Sequence, residues 1–213
     1  MKIASKAIAR RLEAVMPLLI PANQNGFIKG RSILDAVRTI DDVLEICKIM
    51  NQSGILLAVD FKKAFDSLNH EFLYQVLQKM GFGPNFPECI RTFYRNLSGR
   101  VLNNGFTTDI FFVKRGVRQG DPLSASLFIL ALETLLCQIQ KAFLINGKEV
   151  KTTLFADDMT CFLRDTNSYF QLLTSLQNLA RYSGLRVNDE KQRVLLFVRT
   201  VLFKMILLTK YVI

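Results

Sequence analysis

Three aspartates carry the sharpest chemical signal in this 213-residue chain. Asp60 ends the uniformly apolar run Ile55 to Val59, and Asp157 and Asp158 separate two further short runs, Thr152 to Ala156 and Met159 to Leu163. The first run reads as a strand buried on both faces and the other two as short strands, which places the acid pair at a hairpin tip. If the strands are neighbours, the three carboxylates meet at one edge of a sheet. Carboxylates converging on a water-accessible point repel one another unless cations lie between them. Hard oxygen donors suit magnesium, with manganese as the alternative, and such ions keep water and phosphate oxygens in their remaining positions. Two ions held this way serve phosphoryl transfer: one lowers the pKa of an attacking hydroxyl, and the other steadies a leaving diphosphate. Plainer readings stand beside this one. An acid pair after a strand also caps turns. Asp66 and Asp121 read as helix caps, and His70 as an ordinary helix-start residue.

The elements that must position these acids follow from periodicity. Ile3, Ala7, Ile8, Leu12 and Val15 form one helical stripe that Pro17 and Pro21 end, and helical spacing resumes from Ile33 to Met50 through Val37, Ile40, Val43, Leu44 and Cys47. Asn69 to Met80 reads as a helix closed by Gly81, and Phe86 to Leu97 as another. Val101 to Val113 reads as a hairpin turning near Asn104 and Gly105. Asp121–Pro122 opens a long helix from Leu123 to about Gln140, apolar all round and therefore buried. Asn146–Gly147 gives a second turn. Leu172, Leu173, Leu176, Leu179 and Ala180 define a helix closed by Gly184, and Arg193 to Val198 a last strand. Setting aside the insertion between Asp60 and Asp121, the order is strand, helix, hairpin, helix, strand. That is an α+β fold with a ferredoxin-like β-α-β-β-α-β core, whose two central strands are adjacent.

Composition narrows the partners. Twenty-eight Lys and Arg against 18 Asp and Glu leave a net charge of +10, the balance of a protein that meets polyanions. Arg91, Arg95, Arg100, Lys114, Arg115 and Arg118 face a single acid, Asp109, and are interleaved with Phe93, Tyr94, Phe106, Phe111 and Phe112, which suits a nucleic-acid track. The bland reading of the same stretch is a solvated face. Four scattered cysteines and one histidine indicate neither a zinc site nor a disulfide framework, so a reducing compartment is expected. No apolar stretch is long enough for a membrane span. The basic first 20 residues could be mistaken for a transit peptide.

Several strings resemble a known family. AVDFKKAFDSLNHEFL from Ala58, RGVRQGDPLSASLF from Arg115 and LFADDMT from Leu154 look like the three central motifs of reverse transcriptases, in particular those of non-LTR (LINE-type) retrotransposons. KIASKAIARRL near the start, NQNGFIKGRS from Asn23, NNGFTTDIFFVKRGVRQG from Asn103 and SGLRVNDEK from Ser183 agree, in order, over about residues 2 to 191.

The resemblance implies RNA-directed DNA polymerase activity with two magnesium ions, an RNA template, a DNA primer and deoxynucleotide triphosphates. It implies no membrane, and an intracellular setting in nucleus and cytoplasm. Asp60, Asp157 and Asp158 would hold the metals, and Lys191 would lie near the triphosphate as a proton donor. Phe61, Phe65, Gln119 and Gly120 would line the nucleotide site. Of these, Phe65 would wall off the sugar 2′ position. Lys29, Arg31, Arg115 and Arg118 would touch nucleic acid. Residues 1–54 would be a partial fingers segment, 55–198 the palm with inserted helices and a hairpin, and 199–213 a divergent apolar tail with no thumb.

The chain departs from the family pattern at both ends. The upstream Arg-Pro-Ile-like string is absent, Gln192 stands where the family often has a hydroxyl residue, and no primer-grip hairpin, endonuclease or Cys/His knuckle follows. A truncated element copy or a partial gene model is therefore expected. Two other readings remain: a catalytically silent nucleic-acid-binding remnant, and a related two-metal polymerase that copies DNA.

Overall fold

The computed structural model describes residues 2–138, 143–145, 148–150, 152–197 and 204–207. Helices α1 (Lys2–Leu19) and α2 (Ile33–Ile49) precede strand β1 (Gly54–Val59), the short helix α3 (Ala64–Ser67), and helices α4 (His70–Lys79) and α5 (Asn85–Tyr94). Four two-residue strands follow: β2 (Ser98–Gly99), β3 (Leu102–Asn103), β4 (Phe106–Thr107) and β5 (Phe111–Phe112). Helix α6 (Pro122–Gln138) leads to β6 (Phe143–Ile145), β7 (Lys148–Val150), β8 (Thr152–Phe155) and β9 (Asp158–Leu163). Helix α7 (Thr166–Ser183) and strands β10 (Arg193–Phe197) and β11 (Lys204–Leu207) complete the order.

The main sheet runs β11-β10-β1-β9-β8, with every pair antiparallel. Without its outer strand β11 this is the expected β-α-β-β-α-β core, with α6 and α7 as crossovers and β1 beside β9. Its strands alternate between two apolar environments. Leu57, Val59, Cys161 and Leu163 join the main core with α6, whereas Leu56 and Phe162 pack with Val43 and Cys47 of α2. A strand covered on both faces must be apolar throughout, which accounts for the run Ile55 to Val59. Helix α6 is the centre of the main core; Leu127, Phe128, Leu130, Ala131, Leu132 and Leu135 are fully buried, and α1, α4 and α7 all pack on it.

Local chemistry sets the element ends. Asn69 caps α4 by accepting from the Glu71 and Phe72 amides, and Asp165 caps α7 by accepting from Ser168. Gly184 closes α7 in the left-handed conformation that glycine tolerates. At the start of α6, the Leu123 amide donates to the Asp121 carboxylate at 3.0 Å.

Several expectations are corrected. Asp66 does not cap the helix that follows; it lies within α3, and Asn69 takes the capping role three residues later. Pro17 does not end α1, which continues to Leu19, with Met16 and Ile20 buried on either side of the proline. The buried face of α1 is Ser5, Ala9, Leu12 and Met16, while Ile3 and Val15 are exposed. Small residues at Ser5 and Ala9 let α1 lie close on α6, and close packing outweighs the count of bulky apolar side chains. The stretch Val101 to Val113 holds β3 and β4, turning at Asn104 and Gly105, with β2 and β5 paired behind them. The Asn146–Gly147 turn lies outside the described residues. Of residues 199–213, only Lys204–Leu207 is described, as β11 against β10. Among the described residues no helix is long and apolar enough to cross a membrane.

Candidate active site

Two strand ends create the site. The β1–β9 ladder pairs Val59 with Met159, so the same register continued by one residue sets Asp60 opposite Asp158. Residues directly opposite in an antiparallel pair put their side chains on one face. Phe155 pairs with Asp158, leaving Ala156 and Asp157 as a two-residue turn. Ala156 has φ +61° and Asp157 is not in the positive-φ region, the pattern of a II′ turn whose first position usually takes glycine. The sequence thus brings Asp60, Asp157 and Asp158 to one end of the sheet.

The electrostatics report the same clustering. Burial, followed by the charges of Asp157 and Asp60, pushes the Asp158 carboxyl up from its ordinary value, while Lys191 pulls it back. Lys191 Nζ lies 3.6 Å from Asp60 Oδ2, and Asn188 Nδ2 donates to the same oxygen at 2.9 Å. The string from Ser183 to Lys191 is tied alongside β1: the Lys62 amide donates to Arg186 O and the Asn188 amide to Asp60 O, both at 2.8 Å. These bonds place Lys191 at the acid end of β1, where sequence separation alone gives no reason to expect it.

Among the described residues no three His, Cys, Asp or Glu side chains form a ready metal cage. The donor set still fits magnesium, which is commonly bound by one or two carboxylates with water and phosphate oxygens completing the shell. After burial, the charges of Asp157 and Asp60 raise the Asp158 pKa, so a cation among the three would relieve that repulsion.

The residues expected on the nucleotide side lie on two segments that meet. Phe65 stacks on the buried Phe128 ring at 4.5 Å between centroids, and Phe27 meets it edge-on at 6.2 Å. Gln119 Nε2 donates to Asp66 Oδ1 at 3.2 Å, and the Val117 amide to Phe65 O at 2.7 Å. Gly120 has φ +77° with open space where a Cβ would be. The Phe61 ring is only 3% exposed and belongs to the core, so any nucleotide contact at that position falls to its backbone. His70 Nε2 lies 2.7 Å from the Gly116 carbonyl; a carbonyl only accepts, so Nε2 carries the hydrogen.

The basic residues divide. Lys29 and Arg115 are exposed. Arg31 instead donates to the carbonyls of Gln24 at 2.7 Å and Ile20 at 2.8 Å, and also to Pro21. Arg118 donates to Phe93 O at 2.9 Å. Arg91 pairs with Glu71 and Glu88 and covers the Tyr74 ring. Tyr94 is buried, while Phe106, Phe111 and Phe112 are exposed on the small hairpins.

The profile of the reverse transcriptase (RNA-dependent DNA polymerase) family matches residues 1–204. The chain belongs to the reverse transcriptase family. It is 33% identical over 200 residues to the transposon TX1 uncharacterized 149 kDa protein of Xenopus laevis, covering 92% of this chain and 15% of the relative. The Pol polyprotein of the R2DM retrotransposable element of Drosophila melanogaster is 27% identical over 192 residues, covering 86% of this chain and 18% of the relative. The reverse transcriptase domain therefore spans between 15% and 18% of the length of these two relatives. In fold it resembles telomerase from Candida albicans, solved with a fragment of telomeric RNA, at a TM-score of 0.66 and 17% identity over 88% of this chain and 33% of that one. Apo telomerase from Candida tropicalis gives 0.66 and 16% over 91% and 36%. The mixed α+β fold with a palm sheet is thus the reverse transcriptase fold, and a family that typically uses divalent metals agrees with the carboxylate cluster.

Sequence reasoning gave no role at this candidate site to four residues that support it. Phe128 backs Phe65, Asn188 holds Asp60, His70 ties α4 to Gly116, and Gln24 reaches Ala156 from outside the sheet. All four lie inside strings singled out by the family resemblance, which was the available signal.

Proposed function

We propose that this domain performs template-directed nucleotidyl transfer, in which a primer 3′-hydroxyl attacks the α-phosphate of a deoxynucleotide on an RNA template. The observation that carries the reading is the register setting Asp60 opposite Asp158, with Asp157 on the adjoining turn. Two magnesium ions, or manganese in their place, would be held by Asp60 and Asp157 with Asp158 beside them, and would supply charge neutralisation for the attacking and leaving oxygens. The remaining work belongs to the chain itself. Lys191, exposed and ion-paired to Asp60, would give a proton to the departing diphosphate. Phe65, braced by Phe128, would wall off the position of a ribose 2′-hydroxyl. Gln119 and Gly120 line the nucleotide and template side, and Lys29 and Arg115 offer free charge to phosphates. Residues 1–54 act as partial fingers and 55–198 as the palm.

The test is primer extension on an RNA template with magnesium and deoxynucleotides, beside the Asp157→Ala, Asp158→Ala double variant. Extension by the parent and none by a folded double variant supports the reading; equal extension by both refutes it. One observation favours the catalytically silent reading. Asp60 Oδ2 is already engaged by Lys191 and Asn188. Salt-sensitive RNA binding with no incorporation, unchanged by chelation of magnesium, would select that alternative.

A further inference from the structure

The hairpin tip that carries Asp157 is gripped from outside the sheet. Gln24, between α1 and α2, is 1% exposed. Its Nε2 donates to Ala156 O at 3.2 Å, and its Oε1 accepts from the Ala156 amide at 3.2 Å and from the Gly26 amide at 2.9 Å. One side chain thus holds both polar groups of the turn residue next to Asp157. Flanking bonds fix the approach. The Asn25 amide donates to Leu154 O and the Leu154 amide to Asn23 O, both at 2.8 Å. Asn23 Nδ2 donates to Thr152 Oγ1 at 2.8 Å, and Asn25 Nδ2 to Thr153 Oγ1 at 3.3 Å. The two chains run so close that a Cβ on Gly26 would lie 2.1 Å from the Ala156 nitrogen. Arg31 secures the far side of the loop through the Gln24 and Ile20 carbonyls.

Ala156 itself needs this support. A non-glycine residue at φ +61° persists only where its surroundings over-determine it. Ala156 is buried, so without Gln24 its amide and carbonyl would lack those bonds away from water, and the turn would relax toward a commoner conformation. Any such relaxation rotates Asp157 and moves Asp158 relative to Asp60.

We propose that Gln24 is a positioning residue that fixes the Ala156 peptide and thereby aims Asp157 and Asp158 at Asp60. Its effect on rate rests on the polymerase reading above; its effect on the turn does not. The bland alternative is that Gln24 only satisfies a buried loop, in which case its loss would loosen the fold without singling out the tip.

The experiment uses the full chain with Gln24→Met, which keeps the shape and removes the hydrogen bonds, and Gln24→Glu, which keeps the acceptor and removes the donor to Ala156 O. Hydrogen exchange at the Ala156 amide is read beside kcat and KM for primer extension. In Gln24→Met, exchange at Ala156 is expected to rise roughly tenfold, the loss of about one hydrogen bond, with β1 and β9 amides unchanged. In the same variant kcat is expected to fall about 10- to 100-fold at an unchanged nucleotide KM, as misplaced reacting groups require. Gln24→Glu is expected to lie between parent and Gln24→Met. Parent-like exchange at Ala156 overturns the proposal, as does faster exchange with unaltered kcat, or a loosening spread evenly over β1 and β9. If the parent chain extends no primer, the polymerase reading falls and the exchange measurement alone decides whether Gln24 holds the turn.

Discussion

Gly116 lies directly against the backbone of Asp66, next to Phe65, and adding one methyl group there tests the arrangement. Its φ is +86°, and a Cβ would lie 2.8 Å from both the Cα and the carbonyl oxygen of Asp66. The left-handed conformation costs alanine roughly 1–2 kcal/mol. Backbone overlap adds about 1–3 kcal/mol, because neither side can yield cheaply. The Gly116 amide donates to Leu68 O, the Val117 amide to Phe65 O, and His70 Nε2 holds the Gly116 carbonyl, all at 2.7 Å. Gly81 provides the control, with φ +80° and nothing within 4 Å of a Cβ, so Gly81→Ala carries the conformational cost alone. The two variants should therefore differ by the overlap, about 1–3 kcal/mol. At 2–4 °C per kcal/mol for a domain of this size, Gly116→Ala should melt roughly 2–12 °C below Gly81→Ala in thermal unfolding followed by circular dichroism. Displacement of Asp66 also moves its neighbour Phe65, so Gly116→Ala should accept ribonucleotides more readily in primer extension while Gly81→Ala does not. Equal melting of the two variants would refute the close approach and the placement of Phe65 that depends on it.

Three further outcomes follow from the site. Asp158→Asn should raise the Tm of the metal-free chain and abolish extension, since folding raises the Asp158 pKa and its ionised form opposes folding at neutral pH; an unchanged or lower Tm would deny the carboxylate cluster. Burial lowers the His70 pKa against the pull of its Gly116 bond, so its contribution to stability is complete above 6.5 and declines as pH falls below that value. A His70→Gln variant should lose that part of the pH slope in urea unfolding. Arg31→Lys should lose the fork onto three carbonyls and cost about 1–3 kcal/mol in thermal unfolding, whereas Lys29→Ala should leave the Tm alone and weaken RNA binding at low salt. The reverse pattern would exchange their roles.

What the sequence disclosed and what it hid have a common physical origin. Strand runs covered on both faces, and the apolar spacing of helices α4, α6 and α7, are local patterns, so the β-α-β-β-α-β order and the acid ends of β1 and β9 could be read directly. The face of α1 could not, because Ser5 and Ala9 are buried although neither is bulky or strongly apolar. Asp66 and Asn69 are equally good capping types three residues apart. The left-handed Lys63 that starts α3 puts Asp66 inside a short helix, leaving the cap to Asn69. Gln24 and Asn188 were hidden more deeply: each acts on a residue more than a hundred positions away, through an amide that no periodicity marks. These missed residues touch the turn beside Asp157 and the Asp60 carboxylate, so they bear on how the legible aspartates are aimed. Possession of the three acids is therefore a weaker criterion for an active site than the conformation of the Ala156 turn that aims two of them. A domain of this family could retain every aspartate and still be silent if the segment around Gln24 no longer held that turn, so exchange at Ala156 separates a working site from a preserved pattern more directly than the motifs do.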